Sequence, residues 1–245
     1  MPQIPFTKMQ ALKNDFILID TQHLRNPLTS QQIRILADRR QGIGCDQVIL
    51  LNKSHEADTN ISFYNADGSI ALACGNGTRC VARYLGKERG VIQTPSFLSQ
   101  FWAKNDHITI SLKDPTFHPY HPQGHGVDVG NPHLVIFTDD PTQADLESLA
   151  LSLQPPEGIN VELAQVTSAQ AIKIKIWERG AGLTPACGSG ACAVGVLSLK
   201  LGLVKKSPVS IEMAGGIVEV SWQEGSPLLL TGPAEFCFKG IIDLP

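Results

Sequence analysis

Residues Glu178–Leu199 read ERGAGLTPACGSGACAVGVLSL, and much of the chain's architecture can be reasoned outward from them. A glycine-bearing loop leads to Cys187, small residues follow, and then comes a long apolar run. The same order occurs once more, in NADGSIALACGNGTRCVARYL from Asn65 to Leu85. Aligned on Cys74 and Cys187, both copies carry Ala-Cys-Gly-(Asn or Ser)-Gly at the centre. A repeated loop–cysteine–helix unit implies two similar halves, each presenting one thiol where a helix begins.

The run ACAVGVLSLKLGLV after Cys187 is apolar almost all the way round. A helix of that kind must be enclosed by protein, and its Ala and Gly residues let strands approach closely. The expected fold class is therefore α+β. It has two pseudo-symmetric halves, each a mostly antiparallel curled sheet around one central helix, with the active site in the cleft between them. The first half is expected over 1–115 and carries Cys74; a last strand at about 234–245 has the option of returning to it. The second is expected over 116–233 and carries Cys187.

The 245 residues, 42% hydrophobic and 18% charged, fit an ordinary globular protein. A net charge of −3 gives no reason to expect a nucleic-acid partner or an acidic membrane surface. No apolar run reaches transmembrane length, and MPQIPFTKMQ lacks the apolar core of a signal peptide, which points to the cytoplasm. The six cysteines form no Cys-x-x-Cys pair, which weakens a zinc reading and leaves free thiols in a reducing compartment. Cys45, Cys80, Cys192 and Cys237 read as core thiols.

Along the chain, PQIPFTKMQA and DFILID read as paired strands around a loop at Leu12-Lys13-Asn14. Thr29 or Ser30 caps a helix through QQIRILADRR that buries Ile33, Leu36 and Ala37 and stops at Gly42 and Gly44. DQVILL is a buried strand, and ISFYNADG a strand entering a turn at Asp67-Gly68. The helix after Cys74 should run to about Gly86. Two or three strands are expected over Val91–Leu112. The proline- and histidine-rich DPTFHPYHPQGHG reads as a linker between the halves. HLVIF follows a Gly130-Asn131-Pro132 turn, and a helix from Asp140 or Thr142 to Leu153 is ended by Pro155-Pro156. INVELAQV and AIKIKIWE are strands, the second cysteine helix runs to about Leu203, and VSIEM, GIVEVSW, PLLLTG and AEFCF close the chain as strands.

Two matched thiols suit one kind of chemistry. Inverting an amino acid's α-carbon requires a base on one face and an acid on the other. A helix N-terminus stabilises a thiolate and so draws a cysteine towards neutrality, while its unpaired N–H groups can hold a carboxylate. Glycines at 75, 77, 188 and 190 keep that backbone accessible. An isolated Cys-Gly-x-Gly is more often a tight turn over a buried thiol. Packing alone, however, rarely demands the same thiol at two related helix starts.

Both cysteine units, together with GNPH at Gly130–His133 and KNDF at Lys13–Phe16, resemble diaminopimelate epimerase, a cofactor-independent two-cysteine enzyme family. The resemblance runs nearly end to end, and ERGAG before the second unit is its most specific part. It implies interconversion of LL- and meso-diaminopimelate, in the route to lysine and peptidoglycan, with no cofactor, no metal and room for a homodimer. By the same resemblance Cys74 and Cys187 are the acid/base thiols, and His133 and Glu178 support the thiols and orient the amino group. Gly75-Asn76 and Gly188-Ser189 match helix-start substrate contacts. Asn14, Gln47, Asn65, Asn131, Asn160, Glu178 and Arg179 match the remaining binding positions. Lys13, where the family usually has glycine, and Leu183 and Pro185 in the second loop depart from the pattern.

Two other readings compete. One is a different cofactor-independent amino-acid racemase on the same fold. The other is a non-enzymatic metal-binding or redox protein using the cysteines with His118, His121 and His125.

Overall fold

A computed structural model describes residues 3–153 and 158–244. The chain divides into two compact units, one of Met1–Ile110 with Pro233–Pro245, the other of Ser111–Gly232. In chain order the elements are β1 (Gln3–Ala11), β2 (Asn14–Asp20), α1 (Ser30–Ala37), β3 (Gln47–Asn52), β4 (Thr59–Asn65), β5 (Ile70–Ala71), α2 (Gly75–Leu85), β6 (Arg89–Gln93), β7 (Leu98–Lys104) and β8 (His107–Leu112). There follow β9 (Thr116–His121), β10 (Gly124–Asp128), β11 (Pro132–Phe137), α3 (Leu146–Ser152), β12 (Asn160–Ser168), β13 (Ala171–Glu178) and β14 (Gly182–Thr184). The last are α4 (Gly188–Lys200), β15 (Val209–Met213), β16 (Gly216–Ser221), β17 (Leu228–Pro233) and β18 (Glu235–Asp243).

In the first unit β1 pairs antiparallel with β2 and β18, β2 parallel with β3, and β3 antiparallel with β4. β4 then pairs antiparallel with β5 and parallel with β6, and β6–β7–β8 is an antiparallel meander. The second unit repeats this order of pairing. β10 is antiparallel to β9 and β11, β11 parallel to β12, β12 antiparallel to β13, and β13 antiparallel to β14 and parallel to β15. β15–β16–β17 closes it, again antiparallel. Within each unit the cysteine helix touches strands from distant parts of the sheet: α2 meets β1, β2, β6 and β7, and α4 meets β10 to β13, β15 and β16. Each sheet is thus curled around its helix, as expected.

The sequence explains the packing. From Gly190 to Ser198 every residue of α4 is buried, so its apolar circumference is enclosed. At Gly195 a Cβ would come within 2.8 Å of Val220, so a larger residue would push β16 away. The end of α4 is set by Gly202, whose positive φ lets Leu203 N–H return to the Ser198 carbonyl. That stops the helix at Lys200 rather than near Leu203.

Several expectations need correction. The segment DPTFHPYHPQGHG is no linker: it forms the hairpin β9–β10 inside the second unit. Its register slips between His125 and Val127, opposite the Pro119 stretch, and such an irregularity is where a strand tolerates proline. α1 ends at Ala37, because the Asp38 side chain accepts from Arg40 and Gln41 N–H and turns the chain before Gly42. α3 begins at Leu146, capped by Asp145; Asp140 instead accepts from Thr142 in a turn of its own. The Pro155-Pro156 stop lies outside the described residues. The first hairpin turns on Leu12 and Lys13 alone, both with positive φ, and Asn14 already belongs to β2. The short strands β5 and β14 were not expected.

Candidate active site

Cys74 and Cys187 occupy the same local position in their units. Each is the N-cap of its helix, in extended conformation, with its sulfur accepting from the third glycine-loop N–H. Gly77 N–H lies 3.3 Å from Cys74 Sγ, and Gly190 N–H lies 3.4 Å from Cys187 Sγ. The short strands explain the placement. β5 folds back on β4 and β14 on β13, so the chain returns and releases each cysteine at the helix start.

Register extends the equivalence to other residues. Asn65 and Glu178 each stand nine residues before their cysteine. Gln47 pairs with Asn65, and the Val161–Trp177 pair brings Asn160 level with Glu178. Phe16 pairs with Gln47 as His133 pairs with Asn160. Asn14 and Asn131, each two residues earlier, complete the match. The residues singled out in the sequence therefore gather at one end of each sheet, beside the cysteine helix.

Around Cys74 the polar groups are amides. Gln47 Nε2 donates to Asn65 Oδ1 (2.9 Å), and Asn65 Nδ2 donates to Ser69 Oγ (3.0 Å). Gln47 Oε1 is buried without a donor among the described residues, an acceptor suited to a ligand's ammonium. Asn76 Nδ2 donates to Asn14 Oδ1 (3.2 Å). Under the helix start the contacts are apolar: a Cβ on Gly77 would meet Phe63, Ile49 and Phe16 at 2.8 to 3.3 Å. Cys74 itself is only half-buried.

Around Cys187 the neighbours are ionisable. His133 and Glu162, both fully buried, are hydrogen-bonded across 2.6 Å between Nδ1 and Oε1. His133 Nε2 lies 3.1 Å from Asn131 Oδ1. Glu178 accepts from Thr184 Oγ1 and is hydrogen-bonded to Cys187. Asn160 is spanned between the Pro132 carbonyl and Arg179 N–H. The Arg179 side chain is exposed.

Here the electrostatics overturn an expectation. Cys187 is not drawn towards neutrality by its helix. Burial first, then the Glu178 and Glu162 charges, push its thiol well above the ordinary value, outweighing Ser189 and Gly190 N–H. Glu178 is raised as well, mainly by burial, against the Thr184 and Cys187 hydrogen bonds. Burial thus works against the charged forms of both Glu178 and Cys187. Of the cysteines read as core, Cys45, Cys80 and Cys192 are buried, but Cys237 is exposed. Burial pushes Cys45 up to about 12.

The sequence model of diaminopimelate epimerase matches residues 6–112 and 126–237. A diaminopimelate epimerase from Sphingopyxis alaskensis is 37% identical, covering 97% of each chain. The chain belongs to the diaminopimelate epimerase family. A second relative of that name, from Gluconobacter oxydans, is 38% identical over 97% of this chain and 98% of its own. Among solved structures, a phenazine biosynthesis protein of the PhzF family from Bacillus anthracis superposes with a TM-score of 0.76 over 100% of both chains. A hydroxyproline epimerase from Agrobacterium vitis, with trans-4-hydroxy-L-proline bound, gives 0.73 over 99% of this chain and 91% of that one. Both are 14% identical and share the fold.

Sequence reasoning missed Glu162, Thr184 and Asp46. Glu162 left one signal: an acid in the middle of INVEL, between Val161 and Leu163, in a strand buried on both faces. Such a charge requires a partner. No group of three or more His, Cys, Asp or Glu able to hold a metal occurs among the described residues. No helix there is long and apolar enough to cross a membrane.

Proposed function

We propose that this chain interconverts LL- and meso-diaminopimelate, with Cys74 and Cys187 as its two acid/base thiols. One sulfur takes the α-proton while the other delivers a proton to the opposite face. What carries the reading is the duplication: the same thiol caps the same helix turn at register-equivalent places, in a chain of this family. The N–H groups at Gly75-Asn76 and Gly188-Ser189 would hold the reacting carboxylate and the charge that develops on deprotonation. Glu178, raised and bonded to Cys187, exchanges the proton with that thiol. His133 orients the amino group with Asn131.

The second amino-acid head must be held without reacting. Asn65, Asn131, Asn160 and Gln47 offer donors and acceptors for it, and Arg179 a planar fork for its carboxylate. The chemistry needs no cofactor, because both protons travel through side chains. The reaction belongs to the cytoplasmic supply of lysine and peptidoglycan precursors. A homodimer is part of the reading: Phe236, Phe238 and Ile241 on β18 are about half exposed or more, apolar side chains that a second copy would cover.

The test is an assay of purified protein on LL- and meso-diaminopimelate beside the isomers of proline, hydroxyproline and histidine. Epimerisation of diaminopimelate alone is expected. Turnover of a cyclic or aromatic amino acid in its place would sink the substrate assignment.

A further inference from the structure

Asn14 and Asn76 stand in a hydrogen-bonded row with a charged group at each end. Arg79 donates to Asn76 Oδ1 (2.8 Å), Asn76 Nδ2 to Asn14 Oδ1 (3.2 Å), and Asn14 Nδ2 to Asp46 Oδ2 (2.7 Å). A guanidinium can only donate and a carboxylate can only accept. The two amides therefore have one satisfiable direction, whichever way each would turn in isolation. Reversing Asn76 would set its NH₂ against Arg79; reversing Asn14 would set its oxygen against Asp46.

Both ends are themselves held. Arg79 is fully buried and also donates to the Pro233 carbonyl at 3.4 Å. Asp46 accepts from Arg39 (2.9 Å) and from Asp15 N–H (3.1 Å), while Arg39 grips Asp15 through both terminal nitrogens.

We propose that Asp46 and Arg79 are positioning residues that lock Asn14 and Asn76 with their oxygens turned into the row. Each of the two amides beside Cys74 then keeps its second N–H for a ligand, while its oxygen is engaged in the row. This inference rests on the substrate reading above and sharpens it. The face beside Asn14 and Asn76 takes a carboxylate, while the buried acceptor Gln47 Oε1 serves the ammonium of the second head.

The test is Asp46→Asn, whose amide can donate or accept and so removes the charge that fixes the Asn14 end of the row. In ligand-free ¹⁵N-labelled protein the carboxamide resonances of Asn14 and Asn76 should shift. The KM for diaminopimelate should rise about tenfold, the scale of losing a hydrogen bond to a charged group, with kcat changed much less. Asn14→Asp alone sets two carboxylates together and should lower the melting temperature. Combined with Asp46→Asn it restores an acceptor–donor pair and the melting temperature, but KM stays raised, because position 14 no longer donates. Unmoved resonances and KM in Asp46→Asn would overturn the proposal, as would a double variant that regains KM along with stability. Wild-type protein inactive on diaminopimelate would sink the substrate reading alone, the carboxamide resonances still deciding the row.

Discussion

The first turns of α2 and α4 meet one packing requirement with opposite chemistry underneath. Below Gly77 lie Phe63, Ile49 and Phe16. Below Gly190 lies the Glu162 carboxylate, 2.6 Å from where a Cβ would stand, and it is paired with His133. By register Phe16 is the counterpart of His133 and Ile49 of Glu162. The scaffold thus asks only for a glycine at the helix start and a side chain to fill the space beneath. It does not ask for ions. Burying polar groups costs free energy even when they are paired, so packing gives no reason for His133 and Glu162 to stand where two apolar residues would do. The asymmetry is explained if the two thiols differ in their working states, Cys187 resting protonated among carboxylates.

The thiols carry the largest expected effect. Cys74→Ala and Cys187→Ala should each reduce epimerisation by about 10²–10⁴-fold or more, with circular dichroism unchanged. Near-normal turnover in either variant would break the equivalence of the two helix starts. The next test converts one site into the other. His133→Phe with Glu162→Ile copies the apolar floor beneath Gly77. Because an apolar pair often replaces a buried ionic one at no loss, the melting temperature should stay within a few degrees of wild type, while kcat falls about 10²-fold. If stability collapses, the His133–Glu162 pair is structural. Glu162→Ala alone, which strands His133, should cost about 3–5 kcal/mol by denaturant unfolding.

Labelling sharpens the comparison further. With iodoacetamide at neutral pH, peptide mass spectrometry should find Cys74 modified before Cys187, since the second thiol is buried and raised. Glu178→Gln removes one of the charges that raise it and should speed Cys187 labelling. A slower rate there would contradict the assigned cause. The smallest effect concerns the base of the first site. Burial works against ionising Asp15, but the Arg39 and Lys8 contacts prevail and hold its carboxyl well below the usual range. A lowered folded value means stability present above the unfolded value and lost as pH falls below it. Asp15→Asn should therefore flatten the decline of melting temperature below about pH 4.

The cysteine units, their helices and the capping of α1 were legible because each rests on local signals: a glycine run, apolar periodicity, and Thr29 with Gln32 in a capping box. β5 and β14 were not, since two or three residues beside Gly and Pro carry no readable alternation. The β9–β10 hairpin was hidden because proline and histidine suggest a loop, whereas His118 packs across from Gly126, where a Cβ would lie 2.9 Å away. Glu162 showed its charge but not its partner, because only the parallel register of β11 and β12 brings His133 to it. Asp46 and Arg79 act on the candidate site through Asn14 and Asn76, and such mediated contacts leave no spacing to read.

The two-thiol account is tested most directly in deuterium oxide, starting from pure LL-diaminopimelate and stopping at low conversion. Opposed thiols predict deuterium at the inverted α-carbon of the meso product, while recovered LL substrate keeps its proton. A product retaining the substrate's own α-proton would mean that one group serves both faces, and the account would be wrong.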